Sequence, residues 1–158
     1  MIKPWMIIGG IMLALAFAIG SLVTPKGTQW FNRLTRPRWL TFEKAIPFIW
    51  TFVFTCGAAS ATLIWEEDPG SSQTWLLMGL YVLLELVTLA YSPIMLRMQS
   101  LKVGTLIGGA GGVLAVILAI WVAQISGWAL ILLIPYLIWS PIGTYTTWAM
   151  SRLNPLDV

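Results

Sequence analysis

The chain has no histidine and a single cysteine, and only 9% of its 158 residues are charged. Each shortage excludes something. Without histidine there is no imidazole general base, no His-ligated metal and no axial-His haem. Cys56 cannot form an internal disulfide and cannot by itself build a metal site. Soluble domains carry about 25% charged residues, so the composition excludes an ordinary cytosolic enzyme, a disordered protein and a nucleic-acid binder. The net charge of +3 then reports loop asymmetry rather than an affinity for DNA. What is abundant is apolar: 58% of the chain is hydrophobic, and there are ten tryptophans.

About 20 consecutive apolar residues cross a bilayer as a helix. Runs of that kind cover residues 5–23, 45–65, 75–96, 103–124 and 128–150, which predicts an all-α, five-helix transmembrane bundle forming one domain over 1–158. The breaks hold nearly every charge. Loop 1, residues 24–44, is long and basic; loop 2 carries Glu66, Glu67 and Asp68 before a Pro69-Gly70 turn; loop 4 is only Ile125-Ser126-Gly127. Lys26, Arg33, Arg36, Arg38, Lys44, Arg97, Lys102 and Arg152 share one side, and Lys3 alone falls on the other. The positive-inside rule places loop 1 and the C-terminus in the cytoplasm and the N-terminus outside. Ala16-Phe17-Ala18 resembles a signal-peptidase site, but cleavage there would strand the basic loop outside, so the first span is expected to be an uncleaved anchor.

Trp5, Trp65, Trp75, Trp121 and Trp128 fall at the outer ends of spans, and Trp39 and Trp148 near the cytoplasmic side. Those are belt positions, where an indole keeps its N–H wet. Trp50 and Trp139 lie deeper and do not fit a belt. At helical spacing Trp139 shares a face with Tyr136, Ser140, Gly143 and Thr147, and Trp50 shares one with Phe54, Gly57 and Ala61. Large rings beside small residues suit a flat aromatic ligand; they equally suit helices packed closely through their glycines.

Three segments carry a family resemblance. Trp30-Phe31-Asn32-Arg33-Leu34-Thr35-Arg36-Pro37-Arg38-Trp39 resembles the loop-1 signature of the tryptophan-rich sensory protein and translocator family (TspO/MBR, the peripheral benzodiazepine receptor family). Pro47-Phe48-Ile49-Trp50 with Gly57 resembles its second helix. Leu133-Ile134-Pro135-Tyr136-Leu137-Ile138-Trp139 resembles its fifth, and Asn154 matches the Asn that often ends it. The family's double proline after the loop-1 tryptophan is Leu40-Thr41-Phe42 here. The polar stretch of its third helix is Leu80-Tyr81-Val82-Leu83-Leu84-Glu85-Leu86, and Gly104-Thr105-Leu106-Ile107-Gly108 stands where a frequent acidic residue begins the fourth.

The resemblance implies a bacterial-type membrane receptor or transporter-like protein that binds porphyrins or related haem-type tetrapyrroles, and in some members sterols or benzodiazepine-type drugs. No cofactor would be obligatory. Trp50, Tyr136, Trp139 and Gly143 match the family's pocket positions, and Phe54 shares the Trp50 face. Trp30, Arg36, Pro37, Arg38 and Trp39 match or flank its loop-1 lid. Arg33, Arg36 and Arg38 could meet porphyrin propionates or simply mark the cytoplasmic side. Two alternatives stand beside binding: a light-dependent porphyrin-degrading activity, and a packing or assembly subunit with no small-molecule ligand.

Glu85 is the midpoint of the third span. A charged carboxylate there costs ~3 kcal/mol or more, so it is expected to face the bundle, protonated or hydrogen-bonded. It is a candidate ligand contact or a structural bond to Thr88 or to a span-two hydroxyl. Gly104, Gly108 and Gly112 repeat at G-x-x-x-G spacing, as Gly10, Ala14 and Ala18 do in span one. Such stripes drive helix association in lipid, and a homodimer seam is expected through the glycines of span four.

Overall fold

A computed structural model describes residues 3–157. Six α-helices follow one another: α1 (Pro4–Gly20), α2 (Pro25–Arg33), α3 (Ile46–Glu67), α4 (Ser72–Met98), α5 (Leu101–Ala123) and α6 (Gly127–Leu153), with a 3-10 turn at Glu43–Ala45 leading into α3. Local chemistry sets the boundaries. Prolines at the first turn open α1, α2 and α3, where a missing N–H costs nothing. Ser71, Ser100 and Ser126 cap α4, α5 and α6, each accepting a backbone N–H from three residues on. Gly70 takes a φ of +85° between α3 and α4, a conformation that favours glycine.

α3, α4, α5 and α6 are each long and apolar enough to cross a membrane. α1 is the short one. Its 17 residues reach about 25 Å at 1.5 Å per residue, and it completes a fifth span only together with α2, from which it is bent by 78°. α2 itself corrects the reading of residues 24–44 as a plain loop. Thr24 Oγ1 accepts from the Gly27 N–H at 3.2 Å and Pro25 follows it, which starts a nine-residue helix inside the segment.

α5 and α6 make the most extensive helix pair. Glycine is why. A Cβ on Gly108 would come within 2.5 Å of Thr144 Oγ1, and one on Gly104 within 2.5 Å of Met95 Sδ and 3.2 Å of Thr147 Cγ2. Gly112 faces Ser140 Oγ at 3.7 Å. The stripe expected to form a dimer seam is therefore occupied within the protomer by α6 and α4. Its small residues serve backbone approach between consecutive helices of one chain.

Two apolar clusters hold the bundle. From the middle of the bundle to the end away from loop 1, Val53, Ile64, Leu77, Leu84, Leu118, Val122 and Leu133 join α3, α4, α5 and α6. At the loop-1 end, Trp30 and Leu34 pack with Met95, Leu96, Leu101 and Met150. α1 stands apart. It packs on α3 and α4, yet none of its described residues is buried.

The C-terminal tail ties loop 1 down. Asn154 Oδ1 accepts the Thr35 N–H at 2.8 Å, and its Nδ2 donates to the Thr35 carbonyl at 3.0 Å and to Met150 O at 2.8 Å. Trp30 Nε1 donates to Asp157 Oδ1 at 2.6 Å. Gly27 lets α2 lie directly on α4, since a Cβ there would meet the Leu96 carbonyl oxygen at 2.7 Å. Asn154→Ala should detach this segment: it removes both bonds to Thr35 at a cost of roughly 1–3 kcal/mol. Limited proteolysis should then cut within residues 34–42 at least tenfold faster than in the parent protein.

Candidate functional site

Five of the sequence-derived pocket residues converge. Trp50 and Phe54 from α3, and Tyr136, Trp139 and Gly143 from α6, line one cavity of about 520 Å³ at the loop-1 end of the bundle. That size falls within the roughly 300–1,000 Å³ of small-molecule sites. α4 contributes Thr88 and Tyr91, and α5 contributes Gly108 and Gly111. The roof is loop 1, through Phe31, Leu40, Phe42 and Glu43.

The rings form a connected wall. The Trp50 ring lies 5.6 Å from Phe54 and 6.0 Å from Tyr136, the latter edge-on at 66°. Phe42 meets Trp139 at 6.1 Å and 61°. Edge-to-face geometry is what aromatic quadrupoles favour, and it leaves ring faces available to a flat ligand. Tyr136 is fixed by a 2.6 Å hydrogen bond between its hydroxyl and Thr88 Oγ1, and Thr88 in turn donates to Leu84 O at 2.7 Å. Tyr91 and Thr147 share a further hydroxyl hydrogen bond. Trp139 differs: its indole N–H is buried and has no partner among the described residues. A buried donor left unmade is costly, so it is the polar atom in this wall most in need of an acceptor. Gly143 leaves room beside it, with no atom within 4 Å of where a Cβ would stand.

The lid divides differently from the sequence expectation. Trp30, on α2, is buried with its indole N–H on Asp157 and does not line the cavity. Pro37 is buried too, in the turn that follows. Trp39 is exposed and stacks on Tyr145 at 5.8 Å, and its ring lies 6.4 Å from Phe42. It buttresses the roof without touching the chamber. Phe42, which the sequence reading did not single out, is the ring that closes the cavity. Its signal was present: it stands where the family's double proline is replaced.

Arg36 is a latch rather than a free cation. Its Nη1 donates to the carbonyls of Phe31 and Leu34 at 2.8 and 2.7 Å, and its Nη2 pairs with Glu43 at 3.2 Å. The guanidinium also lies 4.8 Å from the Phe31 ring centre. Arg33 and Arg38 are exposed at the loop surface. Lys26 and Lys44 of the same segment are exposed as well, and none of these four basic groups lines the chamber itself.

Glu85 does not join this cavity. It lines a second one, of about 690 Å³, between α1 and the faces of α3 and α4. The expected structural bond to Thr88 or to a span-two hydroxyl is not made among the described residues: Thr88 is committed to Leu84 and Tyr136. Glu85 Oε1 is buried with no hydrogen-bond partner among the described residues. Gly57 and Ala61, expected on the Trp50 face, line this second cavity as well. Phe54 and Tyr136 line both and form the partition.

Six of the seven tryptophans assigned to a belt are exposed, and Trp65 is half-buried. Trp5, Trp75, Trp121, Trp128, Trp39 and Trp148 are all exposed on the bundle's surface. Trp65 and Trp75 additionally meet edge-on at 5.0 Å across the α3–α4 turn.

Comparison with known proteins agrees with the fold and the motifs. The family model described as "TspO/MBR family" matches residues 8–153. A Tryptophan-rich protein TspO of Chlorobaculum tepidum is 28% identical over 151 residues, covering 92% of each chain. Another from Bacillus cereus is 26% identical over 142 residues, covering 87% of this chain and 89% of its own. A Tryptophan-rich sensory protein of Cereibacter sphaeroides is 24% identical over 144 residues, at 85% and 82%. With its apolar helices, its loop-1 cap and a family match across nearly its whole length, this chain belongs to the TspO/MBR family of tryptophan-rich, multi-pass membrane proteins.

Proposed function

We propose that the protein is a membrane receptor or transporter-like protein that binds a porphyrin or related tetrapyrrole in the loop-1-capped cavity. The observation that carries this reading is the convergence of Trp50, Phe54, Tyr136 and Trp139 on one open chamber, with the space at Gly143 and an unpartnered Trp139 N–H. The rings supply stacking surface and the N–H supplies one hydrogen bond, while the exposed Arg33 and Arg38 add positive charge to the loop that roofs the chamber. An open chamber of this size speaks for a ligand rather than for a subunit that only packs. The membrane is a bacterial cell membrane in this reading, with loop 1 and the C-terminus cytoplasmic and the N-terminus outside, as the distribution of basic residues favours.

Intrinsic fluorescence tests the proposal, because a bound porphyrin lies next to two indoles. Protoporphyrin IX added to the purified protein should quench tryptophan emission saturably, beyond a detergent-only control. Trp50→Phe and Trp139→Phe should each raise the dissociation constant about tenfold, the worth of one lost stacking or hydrogen-bonding contact. Quenching that never saturates, or that is untouched in both variants, would remove the ligand from this cavity.

A further inference from the structure

The cavity beneath α1 has its own chemistry. Its walls are almost wholly apolar: Ile7, Ile8 and Ile11 of α1 face Val53, Met78 and Leu133 across it. Its hydroxyl groups are already committed. Tyr81 shares a 2.6 Å bond with Ser60, which also donates to Ala129 O at 2.7 Å, and Tyr136 is bonded to Thr88. Glu85 is left as the unsatisfied group, a carboxyl with a buried and unpartnered oxygen. Among the described residues no lysine or arginine lines the chamber. The described residues thus place an acceptor in an apolar cavity and supply neither a hydrogen-bond donor nor a counter-charge to it.

We infer that this cavity is a second ligand site, taking a lipophilic amine whose nitrogen sits on Glu85 and whose apolar body lies against α1 and α3. An ammonium donates charge-assisted hydrogen bonds to a carboxylate and cancels its charge, which makes the pair tolerable in hydrocarbon. The distance along α4 from Trp75, at the cavity's far end, to Glu85 is about 15 Å at the helical rise, so the body is an extended chain or two to three fused rings. α1 is the wall that yields: none of its described residues is buried, and Gly9 and Gly10 have open space where a Cβ would stand. Entry is therefore sideways from the bilayer. Phe54 and Tyr136 separate this site from the aromatic cavity, so the inference holds or fails independently of tetrapyrrole binding.

Native mass spectrometry of the purified full chain, released from non-ionic detergent, counts bound molecules directly, with dodecylamine as the probe and dodecanol as its uncharged counterpart. One amine adduct is expected on the parent protein, at an affinity at least tenfold above dodecanol. Glu85→Gln keeps the side chain's shape and should lower amine affinity at least tenfold. Gly57→Leu places bulk in the open part of the cavity and should abolish the adduct with Glu85 intact. Thermal melting by circular dichroism establishes that both variants are folded. Equal amine binding by parent and Glu85→Gln, equal binding of dodecanol and dodecylamine, or no adduct on the parent would each overturn the assignment.

Discussion

Gly143→Phe should weaken porphyrin binding at least a hundredfold and leave the protein folded. The position lies within the α6 helix, lines the aromatic cavity and has nothing within 4 Å of an added Cβ. A phenyl ring there enters the chamber rather than a neighbouring helix. Removing a helical glycine also stabilises the helix itself by a few tenths to ~1 kcal/mol, so the melting temperature should hold or rise as affinity collapses. Gly108→Leu is the contrasting case. It lies on α5 and lines the same cavity, but its Cβ would press on Thr144 Oγ1 at 2.5 Å. That variant should lose stability as well as binding. Melting curves and fluorescence titrations of the two proteins separate a position that makes room for ligand from one that makes room for a helix.

Arg36→Ala should unlatch the cap. Truncation leaves the Phe31 and Leu34 carbonyls without their donor and Glu43 without its counter-ion. Hydrogen bonds to a charged group contribute about 1.5–3 kcal/mol each, while the partly exposed Glu43 pair contributes less. A net loss of about 3 kcal/mol converts to roughly a hundredfold. It should appear mainly as faster porphyrin release, since the arginine holds the roof rather than the ligand. Arg36→Lys should recover only part of the effect, because an ammonium cannot span two carbonyls and a carboxylate in the guanidinium's planar geometry. Stopped-flow dissociation of bound protoporphyrin IX measures this. An unchanged off-rate in Arg36→Ala would mean that residues 34–43 do not close the chamber.

The bundle and its aromatic cavity were legible in the sequence for a physical reason. A bilayer imposes lengths and forbids stray polar groups, so apolar runs mark helices and a tryptophan away from the interface stands out. Trp50 and Trp139 were found by that misfit, and Tyr136 and Gly143 by their spacing from Trp139. Three features were not legible. α2 was hidden because Pro25 and Gly27 read as loop residues, whereas Thr24 and Pro25 start a helix and Gly27 permits its contact with α4. The Gly104, Gly108 and Gly112 stripe carries the same signal whether the approaching helix belongs to this chain or to another; only packing shows that α6 and α4 occupy it. Glu85 was expected to face the bundle, and its Oε1 is buried in the cavity between α1, α3 and α4. Which chamber it faces depends on how α4 is rotated between α1 and α5, and periodicity within one helix does not contain that angle.

The loop-1 residues show the same division. Trp30, Arg36 and Pro37 matched a family signature for the cap, and the structure gives them the work of holding it: Trp30 on Asp157, Arg36 on two carbonyls and Glu43, and Pro37 buried in the turn. The surface that meets the chamber comes instead from Phe31, Leu40, Phe42 and Glu43. A sequence signature of this kind marks the residues that fix a lid's shape, which need not be those that touch what lies beneath it.

In the proposed function the chamber between Trp50 and Trp139, and no other surface, receives the tetrapyrrole. The most direct measurement is a structure of the protein determined with protoporphyrin IX bound. Density for a flat macrocycle against Trp50, Tyr136 and Trp139, within hydrogen-bonding distance of the Trp139 indole nitrogen and beneath Phe42, is the predicted result. A macrocycle found in the cavity beneath α1 or on the outer face of the bundle, with the aromatic chamber empty, would contradict it.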